Sequence, residues 1–237
     1  SLGELPRWIG EDIPVPFSVA QEASQRLADG NWADLPVTRE ALEVLQKYHE
    51  NITDAGVMPS PICLTVEQHE RLFILNYPGG SRLNRTIGMI VTAMLTAKSG
   101  YKVGFQFDPY RIILDVPART TVKDLLAILK GFVPEVGSLL RFAIKDSSSL
   151  KPQLLHSARK MGAIAPDADV GKFGMKKLME AYSDTPLYTE AVERFLFHQL
   201  DEKGMEEFIN DINEGEITVI LSPKTAHGYA GLDPYRD

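Results

Sequence analysis

Apolar residues recur along this chain with two different periods. Between 62 and 77 they alternate: Ile62, Leu64 and Val66 are separated by Cys63, Thr65 and Glu67, and after Gln68-His69-Glu70 comes the run RLFILNY. A period of two predicts two strands of a hairpin. Pro78-Gly79-Gly80 breaks the second strand, and a helical period follows from Arg82 to about Lys98. Leu83, Ile87, Ile90, Val91 and Met94 fall on one face of that helix, and Arg85, Thr92 and Thr96 on the opposite one. After Ser99-Gly100 the alternation returns at Tyr101, Val103, Phe105 and Phe107; Asp108-Pro109-Tyr110 turns, and RIILDV gives a fourth strand closed by Pro117. The order strand–strand–helix–strand–strand, with a hairpin at each end, predicts an α+β fold with a mainly antiparallel sheet and the helix on one face.

The flanks read differently. Pro6, Pro14 and Pro16 make residues 1–17 an extended lead-in. Helices are expected from Phe17 to about Leu27 and from about 39 to 55, the second capped by Thr38 and stopped at Gly56. From 121 onward the pattern is helical, over about 121–131, 135–146, 151–162, 174–183, 187–200 and 202–213, with Thr185-Pro186 a helix start and Gly215 a stop. ITVIL at 217–221 is one more strand, able to return to the sheet. The expected organisation is a lead-in at 1–17, a sheet-containing α+β part at 18–120, a mainly helical part with a closing strand at 121–223, and a flexible tail at 224–237. No fixed-period repeat or low-complexity tract interrupts it.

Charge changes this picture more than composition does. The 237 residues are 44% hydrophobic, an ordinary globular balance. The net charge of −7 hides an asymmetry. Residues 1–60 carry 4 basic and 10 acidic side chains (net −6), residues 61–177 carry 17 and 9 (net +8), and residues 178–237 carry 4 and 13 (net −9). A basic middle between acidic ends points to an anionic partner. No apolar run is long enough to cross a bilayer, so no membrane association is expected. The first residues lack the pattern of a secretory signal, and the missing initiator Met suggests a fragment. A single cysteine, Cys63, excludes an internal disulfide and a multi-cysteine zinc site, and suits a cytoplasmic location.

Three stretches carry candidate chemistry. GGSRLNRT at 79–86 opens a helix with Gly79 and Gly80, and with Arg82, Asn84 and Arg85 in its first turns. It lacks the Lys-Ser/Thr of a P-loop and the G-x-G-x-x-G of a dinucleotide fold. A helix N-terminus nevertheless attracts anions, and arginines disfavoured there would be relieved by a phosphate. Arg7-Trp8 lies in the Pro-bounded lead-in, where an exposed Trp beside an Arg can stack on a base. Asp108-Pro109-Tyr110-Arg111 forms a turn whose Tyr110 and Arg111 can face the same partner. Against each stands a plainer reading: a glycine corner with solvated arginines, a Trp pinning the lead-in to the core, and a proline turn with a packing tyrosine. The five histidines are scattered without metal-ligand spacing, and no nucleophile elbow or zinc-protease motif is present. No catalytic residue and no metal site are expected.

LNRTIGMIVTAMLTAKSGYKVGFQFDPYRIIL resembles the stretch after the motor in large helicase-related (Lhr) proteins, archaeal ones especially. LPRWIGEDIPVPF is similar to that family's entry into the same region, DADVGKFGMKKLMEAYSDTPLYTEAVERFLFHQLD to its later helical part, and GEITVILSP to its closing strand. The resemblance spans about 5–223. It implies the C-terminal DEAD/H-associated domain of a superfamily 2 helicase, with a mixed, curved sheet and a helical section. The family translocates 3′ to 5′ on ATP, using RecA-like and winged-helix domains. This sequence holds no Walker A or D-E-x-H motif, so ATP and magnesium are expected only in motor domains outside it.

Two expectations of different class follow. One is an accessory nucleic-acid-binding domain that grips the tracking strand of a single-stranded or tailed duplex substrate, through Arg7, Trp8, Gly79, Gly80, Arg82, Asn84, Arg85, Tyr110 and Arg111. The other is a structural or protein-interaction domain whose basic middle docks on the helicase motor. A stand-alone enzyme holding a phosphorylated small molecule at 79–85 would need acid–base residues that the sequence does not offer.

Overall fold

The computed structural model describes residues 13–222, apart from 33, 132–134, 146–149, 166, 169–170 and 184. Arg7, Trp8 and the tail from 224 lie outside the described residues. Two helices lead in, α1 (Phe17–Asp29) and α2 (Arg39–Ala55). Gly30 ends α1 in the left-handed conformation, and the Thr38 hydroxyl accepts from the Ala41 N–H to cap α2. The sheet follows as β1 (Cys63–His69) and β2 (Leu72–Asn76), then α3 (Gly80–Ser99), then β3 (Gly104–Asp108) and β4 (Arg111–Asp115). Helices α4 (Val122–Leu129), α5 (Val136–Lys145), α6 (Leu150–Lys160), α7 (Lys172–Tyr182), α8 (Pro186–Gln199) and α9 (Glu202–Glu214) come next, and β5 (Thr218–Leu221) closes the described chain.

The strands form one open sheet in the order β3-β4-β2-β1-β5. Four pair antiparallel, with Val66 opposite Leu75 and Ile74 opposite Ile113, and β5 joins β1 in parallel, with Leu64 opposite Val219. This is the α+β fold that the two periods predict, and the closing strand does return to the sheet. Alternate strand residues separate cleanly. Leu64, Val66, Phe73, Leu75, Ile112 and Leu114 join the main core, while Ile74 and Ile113 form a small cluster of their own on the opposite face.

The strong departure from the sequence pattern is α3. Its sequence suggests one buried face, yet Leu83, Asn84 and every residue from Thr86 to Val91 are buried. The helix is surrounded: α1, α4, α5, α9, β3 and β4 all pack on it. Glycine makes the closest approach possible, since a Cβ at Gly88 would stand 2.4 Å from the Phe105 ring. β3 also begins three residues later than the alternation suggests. Tyr101 is exposed, and the Val103 N–H donates to Thr96 Oγ1 of α3 (3.2 Å), so this stretch crosses the helix end before the sheet starts.

Candidate nucleic-acid interface

The Gly79-Gly80 corner is built by close packing. Gly80 has φ +70°, and a Cβ there would lie 2.8 Å from the Val15 carbonyl and 2.9 Å from the Phe17 nitrogen. The chain before α1 therefore runs directly over the start of α3, where only a glycine admits it. This crossing uses the groups that would otherwise meet an anion. The Gly80 N–H donates to the Pro109 carbonyl (2.9 Å) and the Ser81 N–H to the Val15 carbonyl (2.9 Å), while Ser81 Oγ accepts from the Val15 N–H (2.9 Å). At these two positions the helix start is satisfied by the protein itself.

Asn84 is fully buried and ties three segments together. Its Nδ2 donates to the Tyr77 carbonyl at the end of β2 (3.0 Å) and to the Asp108 carbonyl in the β3–β4 turn (2.9 Å). Its side chain also fills the space a residue larger than glycine would need at 79, because a Cβ there would stand 2.3 Å from Asn84 Oδ1.

The two arginines reach the far end of α8. Arg82 Nε donates to the Leu200 carbonyl (2.9 Å) and Arg82 Nη2 to the carbonyls of Phe197 (2.7 Å) and Leu200. A guanidinium that looks misplaced at the start of α3 thus sits at the C-terminus of another helix, where the dipole and the orphan carbonyls favour a cation. Arg85 donates to the side-chain amide of Gln199 and lies over two rings, 4.9 Å from the centre of Phe195 and 5.6 Å from that of Phe107. Burial lowers its pKa, but a guanidinium starts high enough to remain charged. One turn on, the Thr86 hydroxyl donates to the Arg82 carbonyl (2.8 Å) and accepts from the Asp201 N–H (2.9 Å). Arg82 stays exposed and Arg85 is half-buried.

The 108–111 turn is organised by its own aspartate. Asp108 Oδ1 accepts from the N–H groups of Tyr110 (2.8 Å) and Arg111 (3.0 Å), and Oδ2 pairs with Arg111 Nε at 2.5 Å. The Tyr110 ring is 42% exposed. Together with Arg111 and Pro78 it borders a cleft of about 250 Å³ between this turn and helices α1 and α2, walled by Leu27, Ile52 and Met58 and reached by Tyr48. Burial, and next the charge of Asp108, raise the Tyr110 pKa; burial likewise raises that of Tyr48, partly offset by Arg111. Both phenols remain O–H donors at neutral pH.

The structure therefore gathers Gly79, Gly80, Arg82, Asn84, Arg85, Tyr110 and Arg111 at one end of α3, but in different roles. Asn84 and the glycines frame the corner, Arg82 and Arg85 join it to α8, and Tyr110 and Arg111 face the cleft. Arg7 and Trp8 fall outside the described residues. Sequence reasoning did not single out the α8 partners Phe195, Phe197 and Gln199, nor Tyr48. The signal for the first group was a helix end, FHQLD, with only His198 as a basic residue in its last turn. Among the described residues no three His, Cys, Asp or Glu stand where they would hold a metal, and no helix is long and apolar enough to cross a membrane.

Residues 58–226 match the DEAD/H associated family. No curated protein matches the chain. Among solved structures, the fold is similar to that of the Mycobacterium smegmatis helicase Lhr bound to ssDNA and AMP-PNP. The TM-score is 0.67 at 16% identity, over 93% of this chain. This chain spans about a third, 32%, of the length of that helicase.

Proposed function

The chain belongs to the DEAD/H associated family, and from that premise we propose that it is the strand-holding accessory domain of an Lhr-type, ATP-dependent 3′-to-5′ helicase. The observation that carries this reading is the likeness of nearly the whole chain to a helicase whose structure holds single-stranded DNA. In this reading ATP and magnesium belong to RecA-like motor domains elsewhere in the parent protein, which acts in the cytoplasm. This domain packs beside the motor and the winged helix and adds phosphate contacts and base stacking along the tracking strand. Tyr110, Arg111 and the exposed side of Arg82 are the contacts the geometry favours. Arg7 and Trp8, read from the sequence alone, are proposed to add a phosphate contact and a stacked base. Asn84, Arg85 and the Gly79-Gly80 backbone hold it in shape.

Fluorescence anisotropy of the chain with a labelled single-stranded oligonucleotide tests this. Affinity should fall steeply between about 50 and 200 mM salt, as counterion release requires. Salt-independent binding would defeat the reading. A second reading has one observation in its favour: the basic middle is partly engaged by the acidic C-terminal third, through Arg82 on α8 and through Arg141 paired with Glu193 at 3.1 Å. A domain whose cations serve protein contacts would ignore the oligonucleotide and bind the isolated motor instead.

A further inference from the structure

Resting on that reading, we infer that the cleft between α1, α2 and the 108–111 turn seats one unpaired nucleobase of the bound strand. Its volume, about 250 Å³, suits a single planar heterocycle. Its walls are largely apolar, and Tyr48, Tyr110 and Arg111 all line it. Aromatic faces beside a guanidinium plane are the surfaces on which bases stack. None of the residues lining the cleft is acidic, and the two carboxylates next to the lining are both engaged, Asp108 with Arg111 and the buried Glu67 with the Asn76 amide. A neutral aromatic ring attached to a phosphate chain therefore fits better than a cationic side chain.

The lining also holds a polar group in need of a partner. Asn76 is 2% exposed. Its Nδ2 donates to Thr65 Oγ1 (3.1 Å) and to the Glu67 carboxylate (2.8 Å), which fixes the amide orientation, and its Oδ1, screened from water, has no protein partner. A base seated in the cleft reaches this oxygen only where the lining parts, so stacking on the tyrosines rather than this hydrogen bond carries the site. Tyr110 stands at the cleft and is itself exposed, so a strand passing the turn can turn one base inward past it.

The experiment is an abasic scan. Single-stranded oligonucleotides, each lacking one base at a successive position, are bound to the chain, to Tyr110→Ala and to Tyr110→Phe. Melting curves check that the variants are folded. The expected result is one position at which base removal weakens binding by on the order of tenfold. That penalty should vanish in Tyr110→Ala and persist in Tyr110→Phe, with the salt dependence unchanged in all three. A flat scan with salt-dependent binding intact overturns the base pocket, leaves the strand-holding reading standing, and makes a side chain of a neighbouring protein segment the occupant. No binding at any salt overturns both.

Discussion

Gly80 and Gly162 share nearly the same left-handed backbone, φ +70° and +74°, yet a Cβ would meet Val15 at 2.8 Å in one case and nothing within 4 Å in the other. Gly162→Ala should cost about 1 kcal/mol, the conformational term alone. Gly80→Ala should cost about 3 kcal/mol, because the crossing segment must also shift. Urea denaturation of the two variants measures the difference, and equal costs would show that the lead-in is not held there. Asn84→Ala leaves the carbonyls of Tyr77 and Asp108 without their side-chain donor and should cost about 1–3 kcal/mol. The sequence showed that 79–85 is a corner but not what turns there. A glycine pair is equally consistent with an anion nest and with a close crossing. Only the position of Val15, more than sixty residues earlier, decides between them.

Elements explain why the remaining arginines were hard to read. The periods placed the strands, α3 and the helical section well, because alternation and 3.6-residue spacing are local. Which helix end an arginine caps is not local: Arg82 and the Leu200 carbonyl are 118 positions apart. Arg82→Ala should therefore loosen α8 from α3 at a cost of about 1.5–3 kcal/mol, the usual range for a charged hydrogen bond. Arg85→Lys, which keeps the charge but loses the planar stack on Phe195, should cost about 1 kcal/mol. Any loss of strand affinity in these variants must exceed what their lowered melting temperature explains before it counts as a lost phosphate contact. The start of α4 offers a cleaner electrostatic test. Lys98, at 2.7 Å, and then the Thr121 hydroxyl and N–H, hold the Asp124 carboxyl well below the ordinary carboxylate range. A depressed carboxyl stabilises the fold above its unfolded pKa of about 3.9, and that stabilisation is lost as the pH falls through the folded value. Asp124→Asn should melt below the wild type at pH 7, with the gap closing below about pH 4. Melting curves at the two pH values check it, and a constant gap would assign the loss to the cap geometry alone.

The charge asymmetry and the division at about residue 120 both suggest that the chain is assembled from parts, but the core points to one cooperative unit. Leu64, Phe73 and Ile112 of the sheet, Ile87 and Leu95 of α3, and Leu140, Phe195 and Ile209 of the later helices belong to a single buried cluster. The sheet itself needs the C-terminal third, since β5 supplies its outer strand beside β1 and the Thr218 N–H donates to the Ile62 carbonyl (2.9 Å). A fragment ending at 120 would expose the sides of α3 that α5 and α9 cover, leaving a buried helix wet on two flanks. The full chain should therefore unfold in one calorimetric transition, and residues 13–120 expressed alone should lack a cooperative melt. Two resolved transitions, or a folded 13–120 fragment, would defeat this expectation and support the two-part organisation read from the sequence. A single transition bears on function as well. The base-sized cleft lies among α1, α2 and the 108–111 turn, the arginine ties run to α8, and both meet at the start of α3. On the proposed strand-holding reading, a strand pulling at Tyr110 would then load the whole core rather than a hinge, the mechanical property that reading requires.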